Sequence, residues 1–147
     1  MTGAFHWIKL RLVCYATERE EILRDVMGAF ISEEDELTIT NTSGHHGNPM
    51  TIMELELTKN RQFKELFKVL GAEFVQDLKD DLDRRVEEDC ILYFRLDKQE
   101  AVQGRYVIVT HGDVISVSAK AVSHPARKEI ALNNLEKFFE ESIRHHN

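Results

Sequence analysis

Two polar stretches carry the side chains best suited to hold a ligand: Gly44-His45-His46-Gly47-Asn48-Pro49 and, further on, Arg95-Leu96-Asp97-Lys98-Gln99-Glu100-Ala101. Each is wedged between apolar runs, where a domain places the groups that meet a ligand. Gly44 and Gly47 can take positive φ angles and leave backbone N–H groups uncovered, so a turn built on them can approach a phosphate or a ribose. Asn48 adds a donor and an acceptor. Arg95 can fork two N–H groups onto a phosphate, Lys98 supplies a point charge, and Gln99 can read a base edge or a 2′-hydroxyl. His45 and His46 could stack on a base or contact a phosphate. The plainer alternatives are that Gly, Asn and Pro simply make a turn, with the histidines solvated, and that Arg95 and Lys98 pair with nearby carboxylates.

Neighbouring His45 and His46 point apart on an extended backbone and make a poor metal pair, while His6, His111 and His124 are scattered singly. The chain has no Gly-x-Ser-x-Gly, no phosphate-binding Gly-rich loop, no His-Glu-x-x-His and no dinucleotide fingerprint. Its reading is noncatalytic, with neither metal nor cofactor.

The elements that must position these loops follow from periodicity. Residues 6 to 15 alternate, with Ile8, Leu10, Leu12 and Cys14 on one side and Lys9, Arg11 and Tyr15 on the other, which predicts a strand with one buried face. Thr17 to Glu20 has capping-box spacing, and Ile22, Leu23, Val26, Met27 and Phe30 form the stripe of a helix lying on a sheet. Leu37 to Thr42 and Met50 to Leu57 read as two strands joined by the Gly-His-His-Gly-Asn-Pro loop. From Asn60 the period becomes helical through Phe63, Leu66, Phe67, Leu70, Phe74, Leu78 and Leu82, and Gly71 is placed to bend or break the run.

Cys90, Leu92, Phe94 and Leu96 line one face of a further strand whose other face carries Tyr93 and Arg95. Asp97 ends it and caps a short helical turn. Tyr106 to Thr110 and Val114 to Ala121 read as strands of a direct hairpin across His111-Gly112-Asp113. Pro125 marks the first turn of a final helix over 125–144, striped by Leu132, Leu135, Phe139 and Ile143. This order predicts an α+β two-layer sandwich, a mainly antiparallel sheet with helices on one face, in one domain spanning 1–147.

The 147 residues, 42% of them hydrophobic, suffice for one core. With no membrane-length apolar run and no secretory leader in view, the expected location is the cytoplasm, where Cys14 and Cys90 are buried free thiols. The net charge of -7 opposes nonspecific binding to a polyanion, so any nucleic acid must meet a local cationic patch. Acid is concentrated between Glu73 and Asp89, where eight carboxylates accompany Lys79, Arg84 and Arg85, and this stretch reads as the solvated face of an amphipathic helix.

Taken together and in order, the His6 strand, Tyr15-Ala16-Thr17-Glu18, Gly44 to Pro49, Arg85-Val86-Glu87-Glu88-Asp89 and Arg95 to Ala101 resemble a family of small archaeal RNA-binding proteins and predicted exosome subunits. The resemblance runs over about 6–121 and leaves out the last helix. It implies a fold similar to the large-subunit ribosomal protein that holds 5S rRNA, and a role linked to RNA, within an RNA-processing complex. His45-His46 and Val102 depart from the family's pattern, altering the turn and removing an aromatic platform.

The resulting expectation is RNA binding at one site made by Gly44, His45, His46, Gly47 and Asn48 with Arg95, Lys98 and Gln99. It requires the two loops to meet in a cationic recess not capped by carboxylates. The alternatives are an assembly module docking through its sheet or acidic helix on a basic partner, and a hydrolase or nucleotide-binding enzyme using His45 or His46.

Overall fold

The computed structural model describes residues 3–30, 37–44 and 47–146. Six strands form one antiparallel sheet: β1 (Phe5–Tyr15), β2 (Leu37–Ser43), β3 (Pro49–Leu57), β4 (Ile91–Asp97), β5 (Ile108–Val109) and β6 (Val114–Ala121). Their order across the sheet is β2-β3-β1-β6-β4-β5. The helices are α1 (Glu20–Gly28), α2 (Asn60–Leu70), α3 (Ala72–Asp80), α4 (Leu82–Arg85), α5 (Lys98–Val102) and α6 (Lys128–His146). Among the described residues no helix is long and apolar enough to cross a membrane.

The helices cover one face of the sheet, as the alternation requires. Ile8, Leu10 and Leu12 of β1, Met53 and Leu55 of β3, Leu92 and Phe94 of β4 and Val117 and Ala119 of β6 are buried in a common core with Leu23, Met27, Phe63, Phe67, Leu78, Leu135 and Phe139 of the helices. Phe67 packs edge-on to Phe139 with ring centroids 4.9 Å apart, and Phe5 does the same to Phe63 at 5.4 Å. A register shift between Phe5 and Trp7 resets the alternation. It lets Phe5 and Ile8, three apart, both face the core, while Trp7 joins Lys9 and Arg11 on the opposite face. Cys14 and Cys90 are both free and buried.

Four local expectations are corrected. The capping box at Thr17 does not form: α1 begins at Glu20, with Arg19 at the N-cap and no side-chain cap. Glu20 pairs instead with Arg24, one turn on. The hairpin between Tyr106–Thr110 and Val114–Ala121 is also absent, because β6 has both edges occupied, by β1 and β4. The earlier run shortens to β5 and pairs on the far side of β4, with Arg95 opposite Val109. Pro125 precedes the last helix rather than opening it; α6 starts at Lys128, and the Ser123 hydroxyl accepts a hydrogen bond from the Arg127 N–H at 3.1 Å in the turn before it. The acidic stretch is not one helix but α3, α4 and the turn before β4, with Glu73, Asp77, Asp80 and Asp83 exposed along it.

Gly71 separates α2 from α3 with φ 97° and ψ 160°, a region that only glycine enters without strain. A Cβ added there meets nothing within 4 Å. Gly71→Ala is therefore expected to cost about 1–3 kcal/mol through backbone strain alone, read as a lower urea midpoint at unchanged slope; an unchanged midpoint would show that the break tolerates a side chain.

Candidate functional site

The two loops do lie at the same end of the sheet, since β3 begins there and β4 ends there. They are not neighbours. The strands β3, β1, β6 and β4 are successive, and three inter-strand spacings alone separate Pro49 and Asp97 laterally by roughly 14 Å, with a further offset of about three residues along the strands. The ends of β1 and β6 stand between them, so the loops do not close a common recess.

What fills the gap is an internal clamp. Lys98 is 0% exposed. Its ammonium donates to Glu18 Oε1 at 2.6 Å and to the Val13 carbonyl at 2.6 Å, lies 3.0 Å from Asp113 Oδ1, and sits over the Tyr15 ring. Gln99 spans the same two acids, its Nε2 donating to Glu18 Oε2 at 3.1 Å and Asp113 Oδ2 at 3.3 Å. Two consecutive residues thus tie the turn after β1 to the turn before β6. Asp97 does cap α5, accepting from the Glu100 N–H at 3.0 Å. The carboxylates that cap Lys98 remove it from the phosphate-facing set, and Gln99 is engaged with them.

Burial would raise the Glu18 carboxyl, but hydrogen bonds from Lys98, the Tyr15 N–H and Gln99, together with the lysine's charge, outweigh it and hold the group below the usual 4.5. A carboxyl depressed on folding contributes stability above its unfolded pKa and loses it as pH falls through the folded value. The melting temperature is accordingly expected to drop as pH is lowered from about 5 toward 3, and Glu18→Gln should flatten that acid limb. A variant with the same acid limb as the wild type would show that Glu18 is not the group concerned.

The glycine turn is also closed on itself. Gly47 takes φ 78°, as expected of a turn glycine. Yet the Gly44 N–H donates to the Asn48 carbonyl at 2.7 Å and the Gly47 N–H to the Gly44 carbonyl at 2.9 Å, so neither amide is uncovered. Asn48 is exposed. His45 and His46 lie outside the described residues.

Arg95 has a different setting. It is exposed on the sheet face without helices, where its Nη1 donates to the Thr110 carbonyl at 2.8 Å; among the described residues the other N–H groups of the fork meet no partner. Residues directly opposite on paired strands share a face. One row across the sheet therefore reads Glu54, Arg11, Ser116, Arg95, and the next reads Glu56, Lys9, Ser118, Tyr93. A third places Trp7 and Ile91 on either side of Lys120. These rows floor an open groove of about 1170 Å³ lined by Lys9, Arg11, Tyr93, Arg95, Ser116 and Ser118.

The charges on this face are sorted by position. Lys9 and Arg11 are exposed and form no ion pair among the described residues; Lys9 lies 4.5 Å from the Trp7 ring centroid. Between the cations of β1 and Arg95 of β4 stand only the two small serines of β6. Acids occupy the rim: Glu54 and Glu56 on β3, and Glu87, Glu88 and Asp89 beyond the start of β4. Lys120 is turned to that rim, donating to the Asp89 carbonyl. Arg85 is there too, 2.9 Å from Asp81 Oδ2. The centre can thus receive an anion and a flat ring, inside an acidic border.

The sequence reading reached Arg95 but not Lys9, Arg11, Tyr93, Ser116 and Ser118 as a set. The signal was in the alternation, which puts Lys9 and Arg11 opposite the core side of one strand and Tyr93 and Arg95 opposite the core side of another. Nothing local says that β6 joins those two strands in register.

The model of a family described as RNA binding matches residues 7–121. An RNA-binding protein of Pyrococcus abyssi is 26% identical over 144 residues, covering 92% of this chain and 94% of that protein. An uncharacterised protein of Methanocaldococcus jannaschii is 31% identical over 119 residues, covering 74% and 78%. Among solved structures, a DUF54 protein of Methanothermobacter thermautotrophicus superposes with a TM-score of 0.77 at 31% identity, covering 93% of this chain and 99% of that one.

Proposed function

This chain belongs to the RNA-binding family, and we propose that it takes RNA on the open face of its sheet, with Arg11 and Arg95 as the central phosphate contacts and Lys9 beside them. The observation that carries this reading is the row Arg11, Ser116, Arg95: two exposed guanidinium groups two strands apart, with only a serine between them. Arginine forks fit phosphate oxygens bidentately, and the serines let a ligand backbone come close while offering hydroxyls to it. The name of the Pyrococcus relative agrees with this reading.

Two sequence-nominated residues keep a part in it. Arg95 is a contact, and exposed Asn48, at one end of the sheet, is placed for a longer RNA. Lys98 and Gln99 act behind the surface, holding the ends of β1 and β6 together. The protein binds rather than reacts: the groove's centre offers N–H donors, hydroxyls and a ring face, which hold a phosphate or a base. A place in an RNA-processing complex such as the exosome, and kinship of the fold with the ribosomal protein that holds 5S rRNA, are the further parts of this proposal.

With a net charge of -7, binding is local, modest and sensitive to salt. The test is a titration of single-stranded and structured RNA at two salt concentrations, comparing the wild type with Arg11→Ala/Arg95→Ala. Equal binding by the two proteins would remove the open face as the site. Saturable binding of a basic protein partner with no affinity for RNA would establish the assembly reading instead.

A further inference from the structure

We propose that the open face selects single-stranded RNA, stacking an unpaired base on Tyr93, and that the acidic rim turns duplexes away. This rests on the RNA reading above and adds the form of RNA and the groups that choose it.

Tyr93 is 43% exposed, one of few large apolar side chains so presented. Its hydroxyl donates to Asp89 Oδ2 at 3.4 Å, which steadies the ring at the edge of the groove. It lies across Ser118 from Lys9, and two residues along β4 from Arg95. Two residues of strand span about 6.8 Å, and two inter-strand spacings about 9.6 Å. A base lying on the ring therefore keeps its own sugar and phosphate within side-chain reach of Arg95, and of Arg11 across Ser116.

Aromatic stacking needs a base whose face is open, which a paired and stacked base does not offer. A duplex meets a second obstacle. It carries two phosphate rows, and whichever row sits on Arg11 and Arg95, its width must pass over the border. On one side Glu54 and Glu56 stand directly opposite Arg11 and Lys9; at one end stand Glu87, Glu88 and Asp89. Glu54 and Glu56 stand one strand spacing, about 4.8 Å, from Arg11 and Lys9, inside the Debye length of about 8–10 Å at ordinary salt, so their repulsion of the second row is only partly screened. A single strand can follow the narrow cationic lane and leave its other nucleotides in solvent.

The experiment measures fluorescence anisotropy of a labelled single-stranded RNA and of a blunt RNA duplex of the same length, with wild type, Tyr93→Ala, Tyr93→Phe and Glu54→Gln/Glu56→Gln. The wild type is expected to bind the single strand at least tenfold more tightly than the duplex. Tyr93→Ala should weaken the single strand roughly five- to hundredfold, the range of one base–aromatic stack, with Tyr93→Phe near the wild type. Glu54→Gln/Glu56→Gln should raise duplex affinity more than single-strand affinity. Equal affinity for both forms in the wild type, or a Tyr93→Ala variant as good as wild type on the single strand, would overturn the inference while leaving RNA binding in place. Failure of both forms to bind would overturn the RNA reading and this inference with it.

Discussion

Replacing Lys98 by methionine is expected to cost about 3 kcal/mol or more of folding stability, the scale of removing one partner from a buried ion pair. Methionine restores most of the lysine's volume, so the loss is not a cavity. What remains is Glu18 and Asp113 without their cation and the Val13 carbonyl without its donor. The figure sits at the low end of the range because Asp113 keeps a 38% exposed side chain that water can reach. Set against a typical domain stability of about 5–15 kcal/mol, the change is large. Urea unfolding would measure it, and neutralising the acids in the same background, Glu18→Gln with Asp113→Asn, should recover part of the loss. A surface lysine holding phosphate would behave in the opposite way: Lys98→Met would leave stability intact and weaken RNA binding. That second outcome would restore Lys98 to the binding site and dismiss the clamp.

The Arg11→Ala/Arg95→Ala variant should do the converse. Both side chains are exposed, so folding is expected to stay close to wild type, apart from the Arg95 bond to Thr110 and a few tenths of a kcal/mol for Arg11 standing opposite Glu54 on the neighbouring strand. RNA affinity should fall roughly thirtyfold or more, at about 1 kcal/mol or more for each charge-assisted contact. The dependence of log affinity on log salt should become shallower by about 1.4, the counterion release of two phosphate contacts on a single strand. The slope matters more than the affinity. A misfolded variant would lose binding at every salt concentration, whereas loss of phosphate contacts changes the slope as well. An unchanged slope would show that these arginines do not meet phosphate.

The two variants separate roles that one stretch of sequence presents together. Arg95 and Lys98 are three residues apart, yet one faces solvent on the open sheet and the other is sealed beneath the turn that follows the first strand. The chain reverses its exposure at Asp97, where the strand ends and the capped helical turn begins. Composition could not divide them, since both are cations in a polar stretch. The division depends on Glu18 and Asp113, which come from remote parts of the chain.

Much of the architecture was legible because side-chain period is a local property. Alternation in 6–15 and in 90–96 identified which side of those strands meets the core, and the three-and-four spacings from Phe63 to Leu82 and from Leu132 to Ile143 identified helices that cover it. The Asp97 cap was legible for the same reason, since its partner N–H is three residues away. Thr17 had an equally good local signature and failed: helix α1 begins only at Glu20, the acid of that box, which pairs with Arg24, while the neighbouring Glu18 is held by the distant Lys98.

The sequence by itself determined the α+β class and, for β1 and β4, the buried face and the side chains left on the other face, because these follow from periodicity and hydrophobic burial within short windows. Only the tertiary structure decided that β6 joins β1 to β4, that Lys9, Arg11, Tyr93 and Arg95 share one floor, and that Lys98 is inside. Strand neighbours and registers are chosen by how the whole core packs, and a cation far along the chain is buried or exposed according to which carboxylates that packing brings to it.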